Sequence, residues 1–309
     1  YQAAHDVWQR VFGDGALLFE ARIQCGAQAT TLVADESWRW LEGSAWRRDT
    51  PRSGWGQDFI EDFDANQLPA AWAEPAFDDS SWPHCILQVA PASGDDASKG
   101  WGPVRPFPTL VDRELPALSE TPVVPVNVVA VRAVLPDASL PLDRRIYDEQ
   151  TADLPEGMVE DVTALLAPDA RATIVRTREG CDVSILLAFD KRHSGFPCIE
   201  IDALGGEVIE LAVAETIPGE YAGQPPAVPR VARETYLDCA HLFRYVARPG
   251  VQRFEKFEWT AVKYVQVVIR NAPGGLRIRY VGSTHVQYPL EFQGAFECSD
   301  AVLNRLWQV

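Results

Sequence analysis

Residues 290–309 read LEFQGAFECSDAVLNRLWQV and combine an extended segment, a polar turn and the beginning of a helix. The extended segment is interrupted by Gly294, a flexible position. Ser299 is predicted to be the helix N-cap, because its hydroxyl can accept a hydrogen bond from a first-turn amide. Asp300 then adds a negative charge at the positive end of the helix dipole. The apolar residues that follow share one helical face: Val302, Leu303, Leu306 and Trp307. We therefore expect a helix whose apolar face packs on a domain that is missing here.

The same stretch resembles the domain junction of glycoside hydrolase family 78, the bacterial α-L-rhamnosidases. There a β-sandwich domain leads into an (α/α)6 catalytic barrel through the phrase G-x-F-x-x-S-D-x-x-L-N-x-x-W. The matched positions are Gly294, Phe296, Ser299, Asp300, Leu303, Asn304 and Trp307. The resemblance implies that the chain is the non-catalytic front of a larger hydrolase that acts on terminal α-L-rhamnosides with inversion. Residues 294–309 would then begin the barrel, and the catalytic carboxylates would lie beyond Val309.

The composition limits the classes of partner. A length of 309 residues suits two domains, and 47% hydrophobic with 23% charged residues is an ordinary globular composition. The formal net charge of −16 argues against nucleic acid or an anionic membrane as a partner, since both require a basic surface. The sequence contains no apolar run of about 18 residues, so a membrane-spanning helix is not predicted. The sequence starts at Tyr1 without a signal segment, so we expect any targeting signal to lie upstream.

The six cysteines are scattered along the sequence without a C-x-x-C pair or a Cys/His ligand spacing. A zinc site is therefore not predicted. Disulfides are left open, but domains of this size do not need them. A cytoplasmic location is favoured over a secreted one.

Residues 1–118 are expected to form a galactose-binding-like jelly-roll domain. Eight of the ten tryptophans precede Pro103, which indicates that this part differs from the rest in origin or in task. Two phrases resemble the N-terminal jelly roll of family 78: a strand followed by D-x-S-W at Asp35, and E-D-F-D-A from Glu61. In the second phrase Asn66 replaces the usual Arg, so any ligand contact of that Arg is in doubt. The segment 101–110, WGPVRPFPTL, resembles the closing strand of that domain.

The phrase F-D-D-S-S-W-P at residues 77–83 supplies the candidate binding residues. Its simplest interpretation is structural, because Phe77 and Trp82 can close one end of the sandwich while the acidic residues bond backbone amides in a tight turn. The sharper hypothesis is that Asp78 or Asp79 ligates Ca²⁺. In that hypothesis Trp72 or Trp82 stacks on a sugar ring. The candidate sugar-binding residues are Trp72, Asp78, Asp79 and Trp82.

Residues 119–293 are expected to form a larger β-sandwich, joined to the first domain near residues 111–123. The predicted strands are rich in Val, Ile, Tyr and Phe and lie at 123–134, 182–190, 197–203, 207–215, 233–239, 253–259, 263–270 and 277–285. Many strands with short turns and little helix are typical of a sandwich. A short helix is predicted at Met158–Leu166 from its apolar spacing. The predicted class is thus all-β, with two β-sandwich domains and a short C-terminal helix.

No catalytic residue is assigned, because the sequence shows no nucleophile–base phrase and no phosphate loop. Sequence spacing alone does not establish that two carboxylates lie at the separation that a glycosidase needs. Two functions remain open. In the first, the chain is the accessory β-region of an α-L-rhamnosidase-like hydrolase. It is then inactive by itself, with the catalytic barrel and rhamnose-containing glycosides as partners. Alternatively, it is a free-standing carbohydrate-binding or structural β-sandwich protein.

Overall fold

The computed structural model describes residues 17–54, 59–86, 113–167, 169, 171–220, 223, 227–233, 238–291 and 293–308. Within them strands predominate, with two short α-helices, α1 (Leu142–Asp148) and α2 (Ala301–Trp307). The strands are β1 (Glu20–Cys25), β2 (Gln28–Val33), β3 (Glu61–Asp64), β4 (Ser119–Val123), β5 (Asn127–Leu135), β6 (Gln150–Ala152), β7 (Val159–Glu160), β8 (Thr173–Val175), β9 (Asp182–Ala203), β10 (Val208–Ala214), β11 (Leu242–Val246), β12 (Gly250–Glu255), β13 (Thr260–Arg270) and β14 (Leu276–Gln287). The predicted all-β class and the C-terminal helix are confirmed.

The long strand β9 organises a mixed sheet of twelve strands, whereas β1 and β2 form a separate hairpin. Its first half pairs with β5 and β13, and its second half pairs mainly with β12 and β14. Where β9 meets β14, a Cβ at Gly195 would lie 2.6 Å from the carbonyl oxygen of Thr284. Only glycine allows this close approach of two backbones. Strand β9 thus connects the strands that pair with its first half to those that pair with its second half.

Alternation along β9 divides its side chains between two apolar clusters. Ile185, Leu187, Ile199 and Ile201 enter the main core, which also takes side chains from β10, β11, β13 and β14. Leu186 enters a second cluster on the opposite face. The first half of β9 is therefore buried on both faces, which explains its nearly continuous apolar sequence.

Helix α1 covers the second cluster and is tied to the sheet by buried ions. Arg270 of β13 donates to Glu149 at 2.7 Å, to Glu210 at 2.7 Å and to Asp182 at 2.8 Å. Glu149 directly follows α1, and Arg145 within α1 donates to Glu210 at 3.2 Å. Because these charges are removed from water, each depends on its partner to remain buried. The network thus fixes α1 on the sheet.

Most predicted strands of residues 119–293 are present with shifted ends, and the short strands β6 and β8 were not predicted. The segments predicted at 182–190 and 197–203 are one strand, β9. Strand β12 ends at Glu255, whereas the sequence predicted a strand over 253–259, and β11 was not predicted. The predicted strand at 233–239 lies partly outside the described residues, as 234–237 are not described, and the closing strand at 101–110 lies outside them entirely.

The predicted helix at Met158–Leu166 is wrong. This segment forms the short strand β7 and a 3-10 helix at Val162–Leu166, with Met158 and Leu165 buried in the main core. The apolar residues of this segment are spaced as on a helix, but they are buried from two separate short elements.

Strand β3 comes from the predicted first domain but pairs in parallel with β11 at the edge of the large sheet. Asp62 of β3 accepts a hydrogen bond from Arg244 of β11 at 2.7 Å. A strand from before residue 118 is therefore part of the large sheet. The division into domains 1–118 and 119–293 stays a prediction.

Candidate functional site

The F-D-D-S-S-W phrase folds as a tight turn in which the acidic side chain caps the backbone. Asp78 Oδ1 accepts a hydrogen bond from the Ser80 amide at 3.0 Å, and the Trp82 amide donates to the Asp79 carbonyl at 2.8 Å. Hydrogen bonding from Ser80 holds the pKa of the Asp78 carboxyl below its usual value. The rings of Phe77 and Trp82 lie 5.3 Å apart in a tilted pair. The hydrogen bonds agree with the interpretation that the acidic residues stabilise a tight turn.

Arg39 holds the turn from outside. Its Nη1 donates to the carbonyl oxygens of Ser80 and Trp82 at 3.0 and 2.6 Å, and its Nε lies 4.0 Å from the Asp79 carboxylate. Trp72 lies on a neighbouring turn with 53% of its surface exposed. Within the described part of the chain, no group of three or more His, Cys, Asp or Glu residues is placed to hold a metal ion. Sugar binding and calcium binding by this region stay predictions.

A second candidate is a cleft of about 330 Å³ over β9, β12 and β14. The side chains that line it are Asp169, Arg171, Glu200, Arg253, Arg277, Arg279 and Tyr280. In the strand register Glu200 lies between Arg253 and Tyr280. A register shift between Ile278 and Tyr280 inserts one extra residue. Such a bulge allows neighbouring residues to share one face, so Arg279 and Tyr280 both reach the cleft.

The floor of this cleft is rigid because Tyr280 is held on three sides. Its hydroxyl donates to the Val123 carbonyl at 3.1 Å, and the Arg253 guanidinium lies 5.5 Å from its ring centroid. A Cβ at Gly282 would collide with the Tyr280 ring, so glycine lets the ring lie against the strand. Burial raises the pKa of Tyr280, which stays neutral. Arg253 is fixed in turn by Glu255, at 3.3 Å.

The third candidate is the strand–turn–helix junction at residues 290–308, which forms a self-contained cap. Asp300 Oδ1 accepts hydrogen bonds from the amides of Val302 and Leu303 at 2.8 and 3.3 Å. Asp300 is therefore the N-cap, and the prediction of Ser299 is wrong. The carboxylate reaches both first-turn amides and also carries the charge that the helix dipole favours.

The other residues of the junction phrase contact each other. Asn304 accepts from the Cys298 amide at 2.8 Å and donates to the Cys298 carbonyl at 2.7 Å, which ties the turn to the helix. The rings of Phe296 and Trp307 lie 5.8 Å apart. A Cβ at Gly294 would lie 3.3 Å from the Trp307 ring, so a small residue is favoured there. The phrase thus specifies one local structure.

The apolar face of α2 is open. The exposed fractions are 67% for Val302, 48% for Leu303, 64% for Leu306 and 47% for Trp307, and α2 contains no buried residue. Contiguous exposed apolar side chains mark interaction surfaces. We call these four side chains the α2 face. It has the character of a docking surface.

None of the described helices is long and apolar enough to cross a membrane. Together, the fold and these sites define an all-β protein with a polar cleft on its sheet and an open helical junction at its end.

A solved structure shares this fold over most of the chain. A GH78 family rhamnosidase of Bacillus sp. GL1 is 16% identical and matches with a TM-score of 0.65, covering 93% of this chain and 46% of that chain. The match confirms the resemblance to family 78 at the level of the fold. This chain therefore corresponds to about half the length of that rhamnosidase.

Two further solved structures match less closely. A rhamnosidase from Klebsiella oxytoca with rhamnose bound is 15% identical, with a TM-score of 0.35 and coverage of 61% of this chain and 33% of that one. The CBM32-1 and CBM32-2 domains of Clostridium perfringens ZmpB are 11% identical, with a TM-score of 0.27 and coverage of 58% and 43%. No family model and no curated protein matches the sequence.

Sequence reasoning missed the arginine cleft. Arg277 and Arg279 do show the alternation of one strand face, R-x-R, but Glu200 and Arg253 join them only through pairing across β9, β12 and β14. The signal available in the sequence was this alternation, which places two arginines on one face of a predicted strand.

Proposed function

We propose that the chain is the non-catalytic β-region of an α-L-rhamnosidase-like glycoside hydrolase. In this proposal the sheet supports a helical catalytic domain, and α2 is the first element of that domain. The observation that carries the proposal is the junction, where the family phrase folds into a defined cap but leaves the α2 face exposed.

Energetics favour a partner for the α2 face. Fully burying a side chain such as Leu306 is worth about 1.5–3 kcal/mol. A seven-residue helix gains little from its own propensity, since isolated helices shorter than about 12–15 residues are marginal in water. The fold match points the same way, because the Bacillus rhamnosidase has more than twice the matched length.

No residue of this chain is given a catalytic role. A glycosidase needs two carboxylates on either side of the scissile bond. Among the described residues, three buried carboxylates are bonded to Arg270 inside the sheet: Glu149, Asp182 and Glu210. The two others have structural partners as well, since Asp62 pairs with Arg244 and Glu207 accepts hydrogen bonds from the amides of the adjacent turn. The acid and base are expected in the helical domain.

The test compares residues 1–309 with a polypeptide extended through the coding sequence that follows Val309. An aryl α-L-rhamnoside is the substrate, and heat-inactivated protein is the control. We expect turnover by the extended protein and none by residues 1–309. Turnover by residues 1–309 that is lost on changing one of their carboxylates would contradict the proposal, as would a coding sequence without a following helical domain.

A further inference from the structure

We propose that the cleft over β9, β12 and β14 is a binding site for a neutral saccharide unit. It opens on the polar face of the sheet and is lined by guanidinium groups, carboxylates and one tyrosine. Its volume of about 330 Å³ lies at the small end of the range of about 300–1,000 Å³ for ligand pockets, which suits one or two sugar rings.

The charges of the cleft are nearly compensated, which disfavours an anionic ligand. Arg277 and Arg279 both approach Asp202, at 4.0 and 3.3 Å. Arg253 pairs with Glu255 at 3.3 Å, and Arg171 pairs with Asp169 at 2.9 Å. These arginines therefore keep free N–H donors without leaving a strong positive field.

Glu200 adds the acceptor that hydroxyl groups require. It lines the cleft and lies between Arg253 and Tyr280 in the register, yet within the described residues its carboxylate forms no ion pair or side-chain hydrogen bond. A carboxylate in this position repels an anion and accepts hydrogen bonds from hydroxyls. Adjacent sugar hydroxyls both donate and accept, so they match the carboxylate and the guanidinium groups together.

The site is also preorganised. Tyr280 is fixed by the Val123 carbonyl and by Gly282, and Arg253 is fixed between the Tyr280 ring and Glu255. Side chains that are already held in place lose little conformational freedom when a ligand binds. The strand framework therefore presents its donors and the Glu200 acceptor in a set geometry.

The test is isothermal titration of the full chain with L-rhamnose, L-fucose, D-galactose, D-mannose and D-glucose, with D-glucuronate as the anionic comparison. Rhamnose is included because of the proposed function, but the cleft does not depend on α2, so failure here leaves that proposal untouched. Glu200→Gln removes the central charge at nearly constant shape. Glu120→Gln, on the exposed part of β4, is the matched control. Circular dichroism and the melting temperature check that both variants fold.

We expect saturable millimolar binding of at least one neutral sugar, weakened about tenfold by Glu200→Gln and unchanged by Glu120→Gln. D-glucuronate should bind more weakly than that sugar. The proposal is overturned if no neutral sugar binds at tens of millimolar, or if Glu200→Gln leaves the affinity unchanged. Tighter binding of D-glucuronate to the unaltered chain would overturn it in favour of an anion site.

Discussion

The two α-helices of the described residues have the same length of seven residues and opposite surroundings. Helix α1 buries Ile146 and Tyr147 to 4% exposure each, and buried ion pairs hold it on the sheet. Helix α2 buries none of its residues. A helix this short takes its stability from tertiary packing, and within the described part of the chain α1 has such packing whereas α2 does not.

The difference extends to the caps. Helix α1 has no side-chain hydrogen bond at its N-cap, Pro141, and relies on packing. Helix α2 is capped by Asp300, and Asn304 ties its first turns to Cys298, so local hydrogen bonds define where this helix begins. A defined cap beside an open apolar face supports the proposal that α2 docks on a following domain.

The largest expected effect comes from the ion network under α1. Arg270→Met leaves three buried carboxylates without their shared cation, so the free energy of unfolding should fall by about 3–5 kcal/mol. Urea denaturation measures this loss. The control is Arg176→Met, whose guanidinium pairs with Glu160 at the surface and should cost less than about 1 kcal/mol. Equal losses in both variants would show that the network does not anchor α1.

A matched pair of alanine substitutions compares how much each helix contributes to stability. Ile146→Ala empties a packed site in α1 and should lower the free energy of unfolding by about 2–5 kcal/mol. Leu306→Ala in α2 should change it by no more than about 0.5 kcal/mol, because Leu306 is 64% exposed. Both values come from the same urea titration. A comparable loss at Leu306 would mean that α2 is packed in this chain.

A smaller and pH-dependent effect is expected at Asp182, which shares Arg270 with Glu149 and Glu210. Burial raises the pKa of Asp182 above its ordinary 3.8, so above this pH the folded state retains a proton that the unfolded state has lost. This group therefore lowers the free energy of unfolding as the pH rises through that window. Asp182→Asn removes the titration, so the variant should gain stability relative to the unaltered chain between acidic and neutral pH. Urea titrations across that range check the direction, and an opposite trend would contradict it.

The smallest effect should follow deletion of Asp300–Val309. Since α2 contributes no buried side chain, the melting temperature should stay nearly unchanged. Self-association, measured by sedimentation velocity, should decrease as the exposed α2 face is removed. Unfolding of the large sheet on deletion would show that the helix belongs to this chain's own core.

The sequence predicted the features that depend on local pattern. The all-β class, most strands of the large sheet and the existence of α2 follow from alternation and helical spacing. The exchange of Ser299 for Asp300 as N-cap was a local ambiguity, because both side chains can accept amide hydrogen bonds and they are neighbours in the sequence.

Features that depend on distant pairing could not be predicted. Arg270 meets Glu149, which is 121 residues away, and no periodicity links them. Strand β3 was assigned to another region because its partner β11 is far along the chain. The arginine cleft required the register of three strands and one bulge. Such contacts follow from the tertiary fold and not from local propensity.

The exposed α2 face is tested most directly by hydrogen exchange in residues 1–309 and in the polypeptide extended beyond Val309. In the shorter chain, amides of 302–307 should exchange quickly while those of Tyr264–Ile269 in β13 stay protected, because only the latter are buried in a sheet. In the extended polypeptide the α2 amides should become protected as the helical domain covers the α2 face. Strong protection of α2 in residues 1–309, or fast exchange in both polypeptides, would contradict the account.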